Sequence, residues 1–433
     1  MQHSEGRSLA ILIILATALV WALPAPALAQ LRGHGGPVRA LAISPDGARL
    51  LSASFDTTAI LWSLASGSAQ KVMRFHNGAA NAVAFLKDGR MATSGEDARI
   101  ALWQPGANKP ETVLMGHTAP ISSLAVSPDG KLLASAAWDG TARLWPLSGG
   151  NPKVLEGHQQ NVNGVAFTPD GRTLITAGYD LTLRFWPLAG GSASVVTLPT
   201  PLNAVAVAPS GEIVTTGASG KVYFLSAAGK LMGEVEASAV PIIALAISGD
   251  GKLVAASSAR GAIAIIDLAG HKLERTLVGP GLPAWAVAFL PDNATLLTGG
   301  SDRLIRRWNA VNGEHVGDVT MSGPADPLAA YEGDRGAEVF RACVACHTLK
   351  ANEGLRAGPT LANIFGRRIA TLPGYDFSPA LKELDIVWTP ETVSKLFEIG
   401  PAAYTPGTKM PEQRVGAEDR AALVKFLEKA TKP

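Results

Sequence analysis

A unit of about 41 residues recurs from Leu31 to about Thr320, and no other feature of the 433-residue chain limits its fold as tightly. The clearest copy contains Gly116-His117, an apolar run over 121–126, Pro128-Asp129-Gly130, a second run over 132–136, Asp139-Gly140 and Arg143-Leu144-Trp145. Tryptophan returns to one slot at Trp62, Trp103, Trp145, Trp186 and Trp308, while Leu225 and Ile266 fill it in two degenerate copies. That gives seven units. Each is predicted to hold four short strands: an inner one rich in Val, Ala and Ile, two middle ones, and an outer one such as 70–74.

On these residues the first 320 positions resemble the WD-repeat β-propeller family. A lone four-stranded blade has open edges and a face it cannot bury, whereas seven in a ring bury both. The resemblance implies a hydrogen-bonded tetrad in each of the first four blades. These sets are His34, Ser52, Asp56 and Trp62; His76, Thr93, Asp97 and Trp103; His117, Ser135, Asp139 and Trp145; and His158, Thr176, Asp180 and Trp186. Blade seven keeps Thr298, Asp302 and Trp308 without the histidine. Four of the eight histidines are thereby structural rather than metal-binding, and His271 and His315 are expected to be solvated. Closure is expected from the last repeat itself, with 314–320 completing blade seven. The same resemblance places Phe55, Trp138 and Tyr179 on one rim, beside Arg39 and Trp285 at the channel mouth. Aromatics beside an arginine have the composition of an interface hot spot, so this rim is the expected partner-binding surface.

The two cysteines of the chain lie in Cys343-Val344-Ala345-Cys346-His347. Two thiols three positions apart, followed at once by an imidazole, are the attachment pattern for a c-type haem. Each sulfur forms a thioether with one porphyrin vinyl group, and His347 is held under the iron as proximal ligand. A dithiol redox motif does not need the histidine, and a structural zinc site needs four ligands. Downstream, Met410 ends the loop Tyr404-Thr405-Pro406-Gly407-Thr408-Lys409, where a thioether sulfur on a rigid turn suits a second axial ligand.

From about Gly333 to Lys432 the chain resembles the class I cytochromes c. The matches run in order through Gly336 and Phe340, the CVACH motif, Gly358-Pro359, Ile364-Phe365-Gly366-Arg367, Pro373-Gly374-Tyr375, Val387-Trp388 and the methionine loop, ending at Leu423 and Phe426. The resemblance implies one covalent haem c, with His347 and Met410 on the iron. It further implies that the Pro359 carbonyl accepts the His347 Nδ1 proton, that Arg367 and Trp388 bond a propionate, and that Tyr404 and Thr408 steady the methionine loop. Gly336 would let the first helix cross closely over Leu423 and Phe426. Three features depart from the family: Met410-Pro411-Glu412-Gln413 is less apolar than usual after the methionine, Phe377 stands where many relatives have tyrosine, and 396–401 carries one extra residue.

Residues 1–29 read as an export signal, with Arg7, an apolar stretch over 8–23 and Ala27-Leu28-Ala29 before Gln30. A retained membrane anchor is the alternative, but the stretch falls short of the ~20 apolar residues a span needs. A net charge of +2, with only 17% charged residues, points away from a nucleic-acid surface. The expected organisation is a signal peptide (1–29), an all-β seven-bladed WD-repeat propeller (30–320), a linker (321–330) and an all-α class I cytochrome c domain (331–433). The expected function is one-electron transfer in the periplasm by an electron carrier rather than a catalyst in its own right, since a haem with both axial positions filled has no open site. The propeller would dock it to a redox protein or membrane-bound respiratory complex, the protein being a monomer or partner-bound. The alternative is a redox enzyme or haem-based sensor whose propeller binds a substrate or second cofactor. The inner strands (40–43, 82–85, 205–207, 245–247) offer it little, being small and apolar.

Overall fold

The computed structural model of the chain describes residues 30–279, 281–316 and 328–432. The export segment and most of the expected linker lie outside the described residues.

Residues from Gln30 to Asn309 form seven four-stranded antiparallel sheets. In blade one the strands run in order Val38–Ile43, Arg49–Ser54, Thr58–Ser63 and Ala69–Arg74. The two middle strands of that blade are almost wholly buried, which accounts for their runs of Leu, Ile and Ala without polar alternation. Blades five and six, where the tryptophan is replaced, are built the same way, with Leu225 and Ile266 fully buried in its place.

Every inner strand carries a register shift at its second residue, so Arg39, Asn81, Ser122, Asn163, Asn203, Ile243 and Trp285 have no cross-strand partner. A bulge re-aims the side chain it carries. Three of these side chains stitch one blade to the next: Ser122 Oγ donates to Val162 O at 2.7 Å, Asn163 Nδ2 to Leu202 O at 2.9 Å and Asn203 Nδ2 to Ile242 O at 2.8 Å.

The four tetrads assemble as the resemblance implies. In blade three His117 Nδ1 donates to Asp139 Oδ2 at 2.8 Å, Ser135 Oγ bonds His117 Nε2 at 2.8 Å, and Trp145 Nε1 donates to Ser135 Oγ at 2.8 Å. In blade seven Arg306 takes the histidine's place on Asp302, at 2.7 Å.

Ring closure differs from the expectation. Gln30–Arg32 pairs antiparallel with Leu304–Arg306, so the N-terminal segment supplies the outer strand of blade seven. Among the described residues, which stop at 316, the last repeat returns as a bridge between Trp308 and His315 and a bond from Val316 N to Arg307 O. The physical reason is Leu31. It is 1% exposed in the cluster of Val38, Leu50, Ile60, Trp62, Leu297 and Ile305, so three residues suffice to plug the seam. His271 and His315, expected to be solvated, are half-buried and each packs on an aromatic ring. His271 stacks on Phe224 and bonds Glu212 at 2.7 Å, and His315 lies over Trp308 with centroids 3.6 Å apart.

The regular structure from 328 onward is helical apart from one bridge between Arg368 and Val387. After a 3-10 turn at Ala329–Tyr331, five α-helices are described: α1 (Arg335–Phe340), α2 (Pro379–Lys382), α3 (Pro390–Ile399), α4 (Pro401–Tyr404) and α5 (Ala417–Ala430). Asp334 caps α1 by accepting from Gly336 N and Ala337 N, and Thr389 and Thr392 form a reciprocal capping box on α3. Gly336 sits where α1 crosses α5, since a Cβ there would run into the Ala422 carbonyl and Phe426. Phe340 and Phe426 then pack at 5.5 Å in a core shared with Cys343, Val344, Val393, Phe397 and Leu423.

Candidate functional site

The CVACH motif follows α1 directly. Main-chain bonds from Cys346 N and His347 N to Cys343 O, 3.0 and 2.9 Å long, wind it into a single turn. That turn holds both thiols and the imidazole within five residues at the end of α1. Neither cysteine is in a disulfide. Burial first, and the neighbouring Cys346 second, push the Cys343 thiol up to about 12. Cys346 is pushed up to about 11 by burial and by the Asp56 carboxylate, against the opposing charges of Arg303 and Arg356.

His347 is fixed by the loop opposite. Its Nδ1 donates to Pro359 O at 2.8 Å. Gly358 lies flat against the ring, where a Cβ would come within 2.6 Å of Cε1, and its N–H bonds Cys346 O at 2.8 Å. Burial holds the imidazole below its usual range; the Pro359 bond opposes this and the Arg356 charge adds to it. A neutral ring with its proton fixed on Nδ1 leaves Nε2 as a lone-pair donor, the form a metal takes. Arg356 braces the turn from behind, its Nη1 donating to Val344 O and, at 3.3 Å, to His347 O.

Met410 is partly buried against the same core as Cys343 and Val344. Thr408 Oγ1 accepts from Met410 N at 3.1 Å, and Ser378 Oγ donates to Gly407 O at 2.9 Å, so the loop is pinned on the approach to the methionine. Tyr404 ends α4 and packs on that core, as does Trp388. Arg367 and Trp388 are joined by a bond from Trp388 N to Arg367 O at 3.0 Å. The Arg367 guanidinium itself donates to Ala362 O at 3.1 Å and Thr360 O at 3.0 Å, bracing the turn beyond Pro359.

The donor set fits a c-type haem. Two unpaired thiols and a lone-pair imidazole share one turn, and Gly358 leaves open the space a side chain would take from the ring. Among the described residues no group of three or more His, Cys, Asp or Glu could hold a bare metal ion.

The expected rim residues fall into two places. Phe55 and Arg39 meet Trp285, at 5.9 Å between rings and 5.4 Å from guanidinium to ring, across the seam between blades one and seven. Trp138 and Tyr179 lie 46% and 44% exposed in a groove of about 590 Å³ between blades three and four, also lined by Gln159, Gln160 and Asn161. Trp138 Nε1 donates to Asn163 Oδ1 at 3.1 Å. The hydrogen-bond, ring and cation–π contacts described for these side chains lie within the propeller. Contact with the C-terminal domain is made by Gly33, Gly35, Arg74 and the His76 carbonyl, which the sequence reading passed over. One signal was present: blade two reads Phe75-His76 where blades one, three and four read Gly-His.

Fold and site together define the class: a domain carrying covalent haem on a CxxCH turn, joined to a seven-bladed propeller. Residues 26–63, 67–104, 108–146, 149–187 and 271–309 match the family model for the WD domain, G-beta repeat, and 333–431 match the model for cytochrome c. The chain is 38% identical over 119 residues to a cytochrome c of Arabidopsis thaliana, spanning 98% of that protein and 27% of this one. It is 41% identical over 100 residues to one from Cochliobolus lunatus, and 40% identical over 113 residues to a type-1 cytochrome c of Ascaris suum. These cover 92% and 96% of the relatives, and 23% and 25% of this chain. The chain belongs to the cytochrome c family and carries one covalently bound haem c with its iron. Electron transfer is the activity such a domain indicates.

Proposed function

We propose that the protein is a periplasmic electron carrier, with His347 and Met410 as axial ligands and the propeller as docking scaffold for a redox partner. The observation that carries the axial assignment is the bond from His347 Nδ1 to Pro359 O, which presents Nε2 as the metal-binding nitrogen. Cys343 and Cys346 would hold the porphyrin from the same turn, and Met410 would supply the sulfur from its pinned loop. When bound, haem c accepts and returns a single electron at iron. The protein's part is to fix both ligands, so that the coordination shell changes little between oxidation states, and to exclude water with Val344, Phe340 and Phe397. Export rests on the apolar segment before Ala27-Leu28-Ala29 and agrees with covalent haem attachment outside the cytoplasm. Partner docking rests on the exposed Trp138 and Tyr179.

The test is Met410→Ala in the holoprotein, with cell fractionation alongside. The variant should have a lower reduction potential and bind carbon monoxide, and the mature chain should be released by osmotic shock. An unchanged spectrum would assign another sixth ligand, and retention in the cytosol would refute export.

A further inference from the structure

The two domains meet at the cysteine that tethers the haem. Cys346 Sγ lies against Gly35, in the loop between the outer strand Gln30–Arg32 and the first inner strand; a Cβ on Gly35 would overlap that sulfur. Beside it the contacts are reciprocal. Arg74, at the end of the outer strand of blade one, donates through Nε to Ala357 O at 2.9 Å and through Nη2 to Arg356 O at 2.5 Å. Its guanidinium also lies 4.0 Å from the centre of the Tyr375 ring, whose hydroxyl donates to the same Ala357 carbonyl. Ala357 N in turn donates to Gly33 O at 3.1 Å. From the other side Lys409, next to Met410, donates to His76 O.

We infer that the rim of blades one and two is a docking face for the chain's own cytochrome domain, covering the porphyrin edge tethered by Cys346, so that electron exchange there requires the domains to part. The inference rests on the haem reading above. A thioether sulfur is bonded to the porphyrin periphery, so whatever covers Cys346 Sγ covers that edge. The contact reaches the motif through Arg356, whose guanidinium holds the Val344 and His347 carbonyls while its own carbonyl receives Arg74. It reaches the methionine side through Lys409. The interface consists of main-chain acceptors, two cations and glycine loops rather than an apolar core. Polar interfaces between domains of one chain permit relative motion.

Two full-length holoprotein variants test this. Arg74→Glu removes both hydrogen bonds and reverses the charge. Gly35→Ala is a neutral wedge: its backbone lies outside the left-handed region, its N–H bond to Asp56 is kept, and the only close contact of the new methyl is Cys346. Small-angle X-ray scattering of the oxidised protein reports domain separation independently of electron transfer, and stopped-flow oxidation by ferricyanide reports access to the haem edge. Both variants should enlarge the maximum dimension and speed oxidation, Arg74→Glu at least about fivefold, a lower bound on the shift in a closed–open equilibrium expected from losing charge-assisted hydrogen bonds. Unchanged dimensions and rate in both variants would overturn the inference, as would domains that part without any gain in rate. The haem reading fails separately, if denatured wild-type protein has lost its haem.

Discussion

Asp139→Ala should destabilise the propeller by an amount that can be worked out from blade three. The carboxylate accepts from His117 Nδ1 at 2.8 Å, Thr118 N at 3.1 Å, Thr141 N at 3.0 Å and Thr141 Oγ1 at 2.7 Å. Thr118 is exposed and Thr141 half-buried, so water can replace the carboxylate at those three donors. His117 is left with only a long contact to Thr141 Oγ1 at 3.4 Å, because its side chain is 0% exposed and its other nitrogen is already engaged by Ser135. One buried donor left unsatisfied costs about 1–3 kcal/mol, and with a charge-assisted bond lost as well the total falls at about 2–3 kcal/mol. A domain of this size loses roughly 2 °C of Tm per kcal/mol, so the propeller transition should fall by about 4–6 °C. Far-ultraviolet circular dichroism follows that transition while the Soret band follows the haem domain, whose core shares no residue with blade three. Asp302→Ala is the internal control. Its Arg306 partner is 18% exposed and can be rehydrated, so that loss should stay at about 1 kcal/mol or less. Equal losses in the two variants, or a shifted Soret band in Asp139→Ala with melting unchanged, would refute the reasoning.

Other expectations can be checked on the same material. Burial raises the Asp97 and Asp139 carboxyls, but bonds from His76, His117 and neighbouring N–H groups outweigh it and hold both well below the usual carboxylate range. Folded values below the unfolded value of about 3.9 mean this stability is complete above that pH and is lost as pH falls through the folded values, so acid titration of propeller melting should steepen below about pH 4. Leu31→Ala should cost about 2–4 kcal/mol if the N-terminal segment closes the ring, and little if the last repeat does, as urea unfolding would report. The Trp138→Ala, Tyr179→Ala double variant should fold, keep its haem and lose partner affinity by about 2 kcal/mol or more per true hot spot; lost stability with affinity intact would make these rings core.

Much of this was legible because the chemistry is local or periodic. The CxxCH turn is five consecutive residues, and the tetrads recur with the repeat, so each histidine announces its own serine or threonine, aspartate and tryptophan. Blades five and six could be counted despite lost tetrads because Leu225 and Ile266 keep the buried slot apolar. Closure was not legible, since a three-residue strand has no periodicity and its strength lies in one leucine meeting a seam nearly the whole propeller away in sequence. The stacking of His271 and His315 depends on Phe224 and Trp308 in neighbouring strands, which spacing alone does not reveal. The domain contact was hidden for a different reason: Arg74 and Lys409 bind carbonyl oxygens, and a carbonyl leaves no mark on residue identity.

The most direct test of the central claim is a spectroscopic redox titration of the purified mature protein under carbon monoxide. A covalent haem with both axial positions filled by His347 and Met410 should titrate as a single one-electron couple, and the reduced spectrum should be the same with and without the gas. A reduced spectrum that shifts on adding carbon monoxide would show an open iron and contradict the electron-carrier account.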